Sequence, residues 1–191
     1  MLKDSGNRRE FETGAVRDMN EGKGRCDLLP ACALLKLNKY RGLEPFRLSV
    51  SIRYLIDDAI VQLLKYLDGD DNNNLCAAAS HVMDAMKLEE KKYIDHEAFP
   101  ACAIIRLSKH YEEGAKKYSD RNWEKGLPIS CMIDSGMRHL LKYLDGWTDE
   151  DHLCAAFWNI LGAIWMEEKH PELQDIPARN ESQGEGVLNE P

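Results

Sequence analysis

Residues 30–40, PACALLKLNKY, and residues 100–110, PACAIIRLSKH, read as two versions of one segment, identical at 6 of 11 positions. Outward from this pair the match continues in the same order. Residues 56–69, IDDAIVQLLKYLDG, match residues 133–146, IDSGMRHLLKYLDG, at 9 of 14 positions, and residues 75–91 match 153–169 at 8 of 17. Collinear matches at a spacing of 70 to 78 residues indicate a tandem duplication. In the second copy Ile104, Leu107, Tyr111 and Tyr118 recur at helical spacing. So do Ile133, Met137, Leu140, Leu141 and Leu144, and then Leu153, Ala156, Phe157, Ile160, Leu161 and Ile164. Each copy therefore predicts three helices, with the Asp-Gly pairs at 68–69 and 145–146 ending the second, where glycine takes a left-handed conformation. Strand signals are nearly absent.

The expected fold is all-α, a pseudo-dimeric helical bundle built by tandem duplication of a three-helix unit. The expected boundaries are an N-terminal arm over 1–29, a degenerate first repeat over 30–93, a second repeat over 94–177 and a disordered polar tail over 178–191.

The chain has 191 residues, 43% of them hydrophobic, with 33 acidic against 25 basic side chains and a net charge of -8. That composition supports a folded core and argues against wholesale disorder. The acidic balance, without a segregated basic patch, argues against nucleic-acid binding. No apolar run is long enough for a membrane span, and the basic N-terminus has no apolar segment behind it, so a cytoplasmic protein is expected. The six cysteines form no Cys-x-x-Cys pair and mostly neighbour Ala and Leu, which reads as buried free thiols.

The copies differ in chemistry. The second carries seven more residues between its first two helices, in EEGAKKYSDRNWEKGLP. His139 stands opposite Gln62, the run Asp149, Glu150, Asp151 stands opposite Asn72, Asn73, Asn74, and His152 has no counterpart. Carboxylates and imidazoles on adjoining faces suit a hard divalent ion, Mg2+ or Mn2+, with Glu113, Asp149, Glu150 and Asp151 as ligand candidates and Lys116, Lys117 and Arg121 as phosphate contacts. Structural readings stand beside these. Thr148 with Asp151 has capping-box spacing, and Glu112 and Glu113 lie four residues from lysines. His139 lies off the main apolar seam, so it is either exposed or faces a site. His152 and Asn159 share a stripe with Ala155, Ala156 and Ala163, a small-residue groove that a ligand could enter. Trp158 and Trp165 read as packing residues. Trp123, in a polar loop, either stacks a nucleobase or closes a pocket.

The strings TGAVRD, GKGRCDLLP, HYEEGAKKYSDRNWEKGLP, IDSGMRHLLKYLDG, DEDHLCAAFWNILGAIWMEE and HPELQDIPAR together resemble the phage and prophage dATP/dGTP diphosphohydrolase N-terminal family, over roughly 12–178. The resemblance implies hydrolysis of purine deoxynucleoside triphosphates to monophosphate and pyrophosphate, with Mg2+ as in the all-helical MazG-type enzymes. By motif it implies substrate contacts at Lys23, Arg25, Lys117, Tyr118, Arg121, Asn122 and Trp123. It places metal binding and catalysis around His139, Asp149, Glu150, Asp151, His152 and Asn159, with Asp151 and His152 leading as catalytic groups beside His139. The MazG ligand pattern is not present: there is no Glu-x-x-Glu, and the one Glu-x-x-Asp is Glu172 to Asp175. No His-Asp dipeptide and no GxxxxGK loop occur. The alternatives are a non-catalytic nucleotide sponge and a helical scaffold, and homo-oligomerisation is left open.

Overall fold

The computed structural model describes residues 8–10, 16–18, 24–41, 51–70, 73–90 and 100–184. Lys23 of the expected substrate set, the boundary between the expected repeats, and residues 185–191 lie outside the described residues. Two three-residue strands, β1 (Arg8–Glu10) and β2 (Val16–Asp18), pair antiparallel, a feature that hydrophobic patterning did not signal. The rest is helical: α1 (Ala31–Arg41), α2 (Ile52–Leu67), α3 (Asn74–Glu89), α4 (Ala101–Tyr118), α5 (Ile129–Leu144), α6 (His152–Lys169) and α7 (Pro177–Gly184).

The burial pattern follows from the residues. On α2 the buried positions Leu55, Ile56, Ala59 and Leu63 make one stripe, and Met132, Ile133, Gly136 and Leu140 make the corresponding stripe on α5. α2 packs on α3, α5 packs on α6, and α3 and α6 lie together at the centre. The central helices carry apolar or small residues nearly all round, which is what full burial requires. Both α2 and α5 end as the Asp-Gly pairs predict: Gly69 (φ +90°) and Gly146 (φ +81°) are left-handed, and the next amides, of Asp70 and Trp147, bond back to Lys65 and Lys142. Contacts also recur across the two halves. The Tyr66 hydroxyl donates to Glu167 (2.8 Å) and the Tyr143 hydroxyl to Glu89 (3.0 Å). Lys36 approaches Glu167 as Arg106 approaches Glu89.

Three expectations are corrected. Residues 178–184 are helical rather than disordered, because Arg179 anchors α7 by stacking its guanidinium 3.9 Å over the Tyr66 ring and donating to the Asp70 carbonyl (3.0 Å). The stripe Ala155, Ala156, Ala163 is not an open groove but is closed by packing. A Cβ on Gly136 would make ordinary contact with Asn159 and Ile160 at 3.5 Å, whereas a Cβ on Gly162 would collide with the Met132 methyl, so α5 and α6 meet most tightly there. All six cysteines are free, but only Cys76 and Cys154 are buried; Cys26 and Cys131 are exposed.

Candidate metal centre

Two helices and the turn between them bring the polar residues together. The Asp-Gly stop at 145–146 turns the chain back, and α6 starts at His152 with Asp151 as its N-cap, whose carboxylate accepts from the Cys154 amide (3.1 Å). Asp151 itself is therefore the cap, rather than the distal member of a box begun by Thr148. His139, in the second half of α5, then faces His152 in the first turn of α6.

The Nδ1 atoms of His139 and His152 stand 3.1 Å apart. The Glu150 carboxylate lies 3.4 Å from His139 Nδ1 and 3.6 Å from His152 Nδ1. Within the described residues these three form a group whose ligand atoms all fall within 4.8 Å of one another. Two imidazole nitrogens at this separation share at most one proton, so one presents a lone pair to the other or both present lone pairs to a third body. Ligand atoms held at ~2.0–2.1 Å from one ion sit ~3.0–3.4 Å apart, which the observed edges approach. The remaining nitrogen, His152 Nε2, lies 2.8 Å from Asp149 Oδ1. This is the carboxylate–histidine arrangement that fixes the ring and tautomer of a metal-ligating histidine. The residues present fit a divalent ion, with Asp149 in an orienting role.

The electrostatics agree. The His152 side chain is fully buried and that of His139 is 19% exposed. Burial holds the His139 pKa below its ordinary value, although Glu150 pulls the other way, so the ring is a neutral donor near pH 7. Asp149 stays below the usual carboxylate range: desolvation opposes this, but its backbone hydrogen bond, His152 and Lys142 together outweigh it.

A second ring of residues surrounds this group. Arg106 on α4 clamps both Asp151 and Glu89, the latter at 2.8 Å, and so ties the α6 cap to the end of α3 and to α4. Burial and the bond to Glu89 push Tyr143 up to about 12. His110, packed against Trp158 with ring centroids 5.8 Å apart, is kept below its ordinary pKa by burial against the opposing charges of Glu113, Glu150 and Asp151. Lys142 lies 3.7 Å from Asp149 and 5.0 Å from the centre of the Trp147 ring, which is half-exposed. His110, Lys142 and Trp147 were missed by sequence reasoning. The signal for His110 was available: it stands opposite Tyr40 in the matching segment 30–40, just as His139 stands opposite Gln62.

The expected substrate contacts lie elsewhere. Trp123 is buried, edge-on to Trp165 (4.7 Å) and Tyr111 (5.7 Å), so it closes a cleft and exposes no stacking face. Trp165 follows His152 by 13 residues on α6, which is about 20 Å of helix. Arg25 is held by Asp27 and Asp120, and Arg121 by Glu124 and the Asp27 carbonyl, at that far end. Lys117 and Tyr118 are exposed there, and Asn122 accepts from Lys125 (3.1 Å). Asn159 is buried two turns into α6, donating to the Ala155 carbonyl (2.8 Å). Glu113 lies on α4, near enough to His110 to act on its charge. The sequence candidates thus divide into two groups, and only His139, Asp149, Glu150, Asp151 and His152 share one site.

Among the described residues no helix is long and apolar enough to cross a membrane. No curated protein and no solved structure matches the chain. One family model does: residues 83–176, which include α5, α6 and the His139–Glu150–His152 cluster, match the family described as dATP/dGTP diphosphohydrolase, N-terminal.

Proposed function

We propose that the chain hydrolyses purine deoxynucleoside triphosphates, of the dATP and dGTP type that the family's description names, to the monophosphate and pyrophosphate. The observation that carries this reading is the pair of imidazoles 3.1 Å apart with the Glu150 carboxylate beside both. His139, His152 and Glu150 hold the divalent ion. Bound there, the ion neutralises charge on phosphate oxygens and makes a water more acidic. Asp149 orients His152, and Asp151 with Arg106 fixes the first turn of α6, so both act through His152 rather than on substrate. Lys142 meets a phosphate, and the exposed Trp147 indole offers the base a stacking face. Water oxygen attacks the α-phosphorus, the bond to the bridging oxygen breaks, and pyrophosphate leaves. His110, kept neutral by its burial, takes the water's proton. Two imidazoles and one carboxylate favour Mn2+ or another transition ion over the all-oxygen preference of Mg2+.

The same reading includes the tandem duplication: the matched burial stripes of α2 and α5 and the paired tyrosine–glutamate contacts support two copies facing one another. The sponge and scaffold alternatives are separated by turnover. Purified protein is incubated with each deoxy- and ribonucleoside triphosphate under Mg2+, Mn2+ or chelator, and products are resolved by anion exchange. Metal-dependent dAMP or dGMP with pyrophosphate, lost in His152→Ala, is the expected result. Intact nucleotides under every metal would overturn the proposal.

A further inference from the structure

The segment LLKYLDG occurs twice, at 63–69 ending α2 and at 140–146 ending α5, and both copies close in the same left-handed glycine stop. Their surroundings differ. At the first, α7 is seated on the turn: a Cβ on Gly69 would meet the Ala178 carbonyl oxygen at 2.9 Å. Tyr66 is 2% exposed there, covered by the Arg179 guanidinium 3.9 Å over its ring. That guanidinium donates to the carbonyl of Asp70, the residue after the glycine (3.0 Å), and lies 3.6 Å from Glu167, which accepts the Tyr66 hydroxyl. At the second stop, no atom of the described residues comes within 4 Å of a Cβ on Gly146, and Tyr143 is half-buried. The acceptors nevertheless match. Trp147 follows Gly146 in the same turn, with its amide bonded back to Lys142 as that of Asp70 is to Lys65, and Glu89 accepts the Tyr143 hydroxyl.

The seated Arg179 identifies the kind of group such a seat holds. It is flat and conjugated, stacks on the tyrosine, and turns N–H donors on its edge toward a carbonyl and a carboxylate. The open seat adjoins the metal centre: Tyr143 follows His139 by one turn on the same face of α5, about 6 Å along the axis. A deoxyribose bridges such a span between a base and its α-phosphate. Of the two purines, guanine carries the guanidinium's own pattern, with N1–H and the exocyclic N2–H side by side on one carbon. Adenine offers its N6–H beside the N1 lone pair, which a carboxylate repels.

We propose that the Tyr143 face, the Trp147 carbonyl and Glu89 form the base-recognition end of the hydrolase site and select guanine over adenine. The base stacks on Tyr143 while N1–H and N2–H donate to Glu89 and to the Trp147 carbonyl, so Trp147 serves the base with its backbone as well as its indole. The nucleotide identity of the ligand rests on the hydrolase reading above; the ring, the acceptors and the open turn do not.

The test titrates dGMP, dIMP and dAMP, none of which can release pyrophosphate, into the full chain with Mn2+, read by calorimetry. dGMP should bind about tenfold tighter than dAMP, with dIMP, which lacks the N2 amine, between them. Tyr143→Ala should weaken dGMP about tenfold, whereas Tyr143→Phe, which keeps the ring, should retain most of the affinity. Equal binding of dAMP and dGMP, unchanged dGMP affinity in Tyr143→Ala, or absence of binding overturns the proposal. The comparison of bases is made on the parent chain and needs no variant to fold. Triphosphates left intact while the monophosphates bind in this order would refute the hydrolase reading and keep the seat. Triphosphates hydrolysed with no preference between the bases would do the reverse.

Discussion

Replacing Asp149 by Asn separates an orienting carboxylate from a metal ligand. The change preserves shape and removes a charge 2.8 Å from His152 Nε2, while the three atoms that would meet the ion, on His139, Glu150 and His152, are left in place. Orienting carboxylates behind ligating histidines are worth roughly 10–100-fold in metal affinity. Asp149 is 54% exposed, so water screens it and the loss should fall at the low end, about tenfold. His152→Ala removes a ligand outright and should cost far more. Co2+ titration, read by visible absorption and calorimetry, measures both variants against the parent chain. If Asp149 were itself a ligand, the Asn variant would lose affinity nearly as His152→Ala does. If the centre were only an ion-pair cluster, the parent would show no Co2+ signal, and either result refutes the arrangement derived above.

Other consequences follow from the same geometry. Trp147→Ala should raise KM for a purine triphosphate about tenfold while leaving kcat nearly unchanged, since stacking binds substrate and transition state alike; a loss confined to kcat would contradict a stacking role. Arg106→Gln leaves Asp151 and Glu89 without their shared cation. Because those carboxylates are 41% and 36% exposed, the cost should be about 1–2 kcal/mol, a drop in Tm of about 2–8 °C, and an unchanged Tm would show that the clamp adds nothing to stability. His110 and His139 both hold pKa values below the ordinary 6.5 because burial disfavours the imidazolium. The unfolded chain therefore binds more protons just below pH 6.5, and metal-free stability should fall as pH is lowered through that window. Replacing both histidines with Gln should flatten this slope in a urea-unfolding series, and a slope that persists would assign it to other groups.

The matching segments made the helices legible from residue order alone: the periodic apolar positions became the stripes of α2 and α5, and the Asp-Gly pairs became left-handed helix stops. Comparing the matching segments also singled out His139, which stands opposite Gln62, and His152, which has no counterpart, because such a comparison needs no coordinates. What it could not do was sort the remaining polar residues. Asp151 and Asp149 are two residues apart in the same run, yet one caps α6 and binds Arg106 while the other orients His152. Helical periodicity gives the direction of a side chain about its own axis, but which neighbour meets it depends on how α4, α5 and α6 pack. The same holds for Trp123 and Trp147: a polar loop made the first look exposed, and only packing against Trp165 and Tyr111 shows that it is the buried one. Sequence alone determined the helices, their ends and the histidines that distinguish the halves, because these are local or comparative properties. The tertiary structure alone separated the His139–Glu150–His152 cluster from the Trp123 cleft at the other end of α6, because distance between residues on different helices is set by packing.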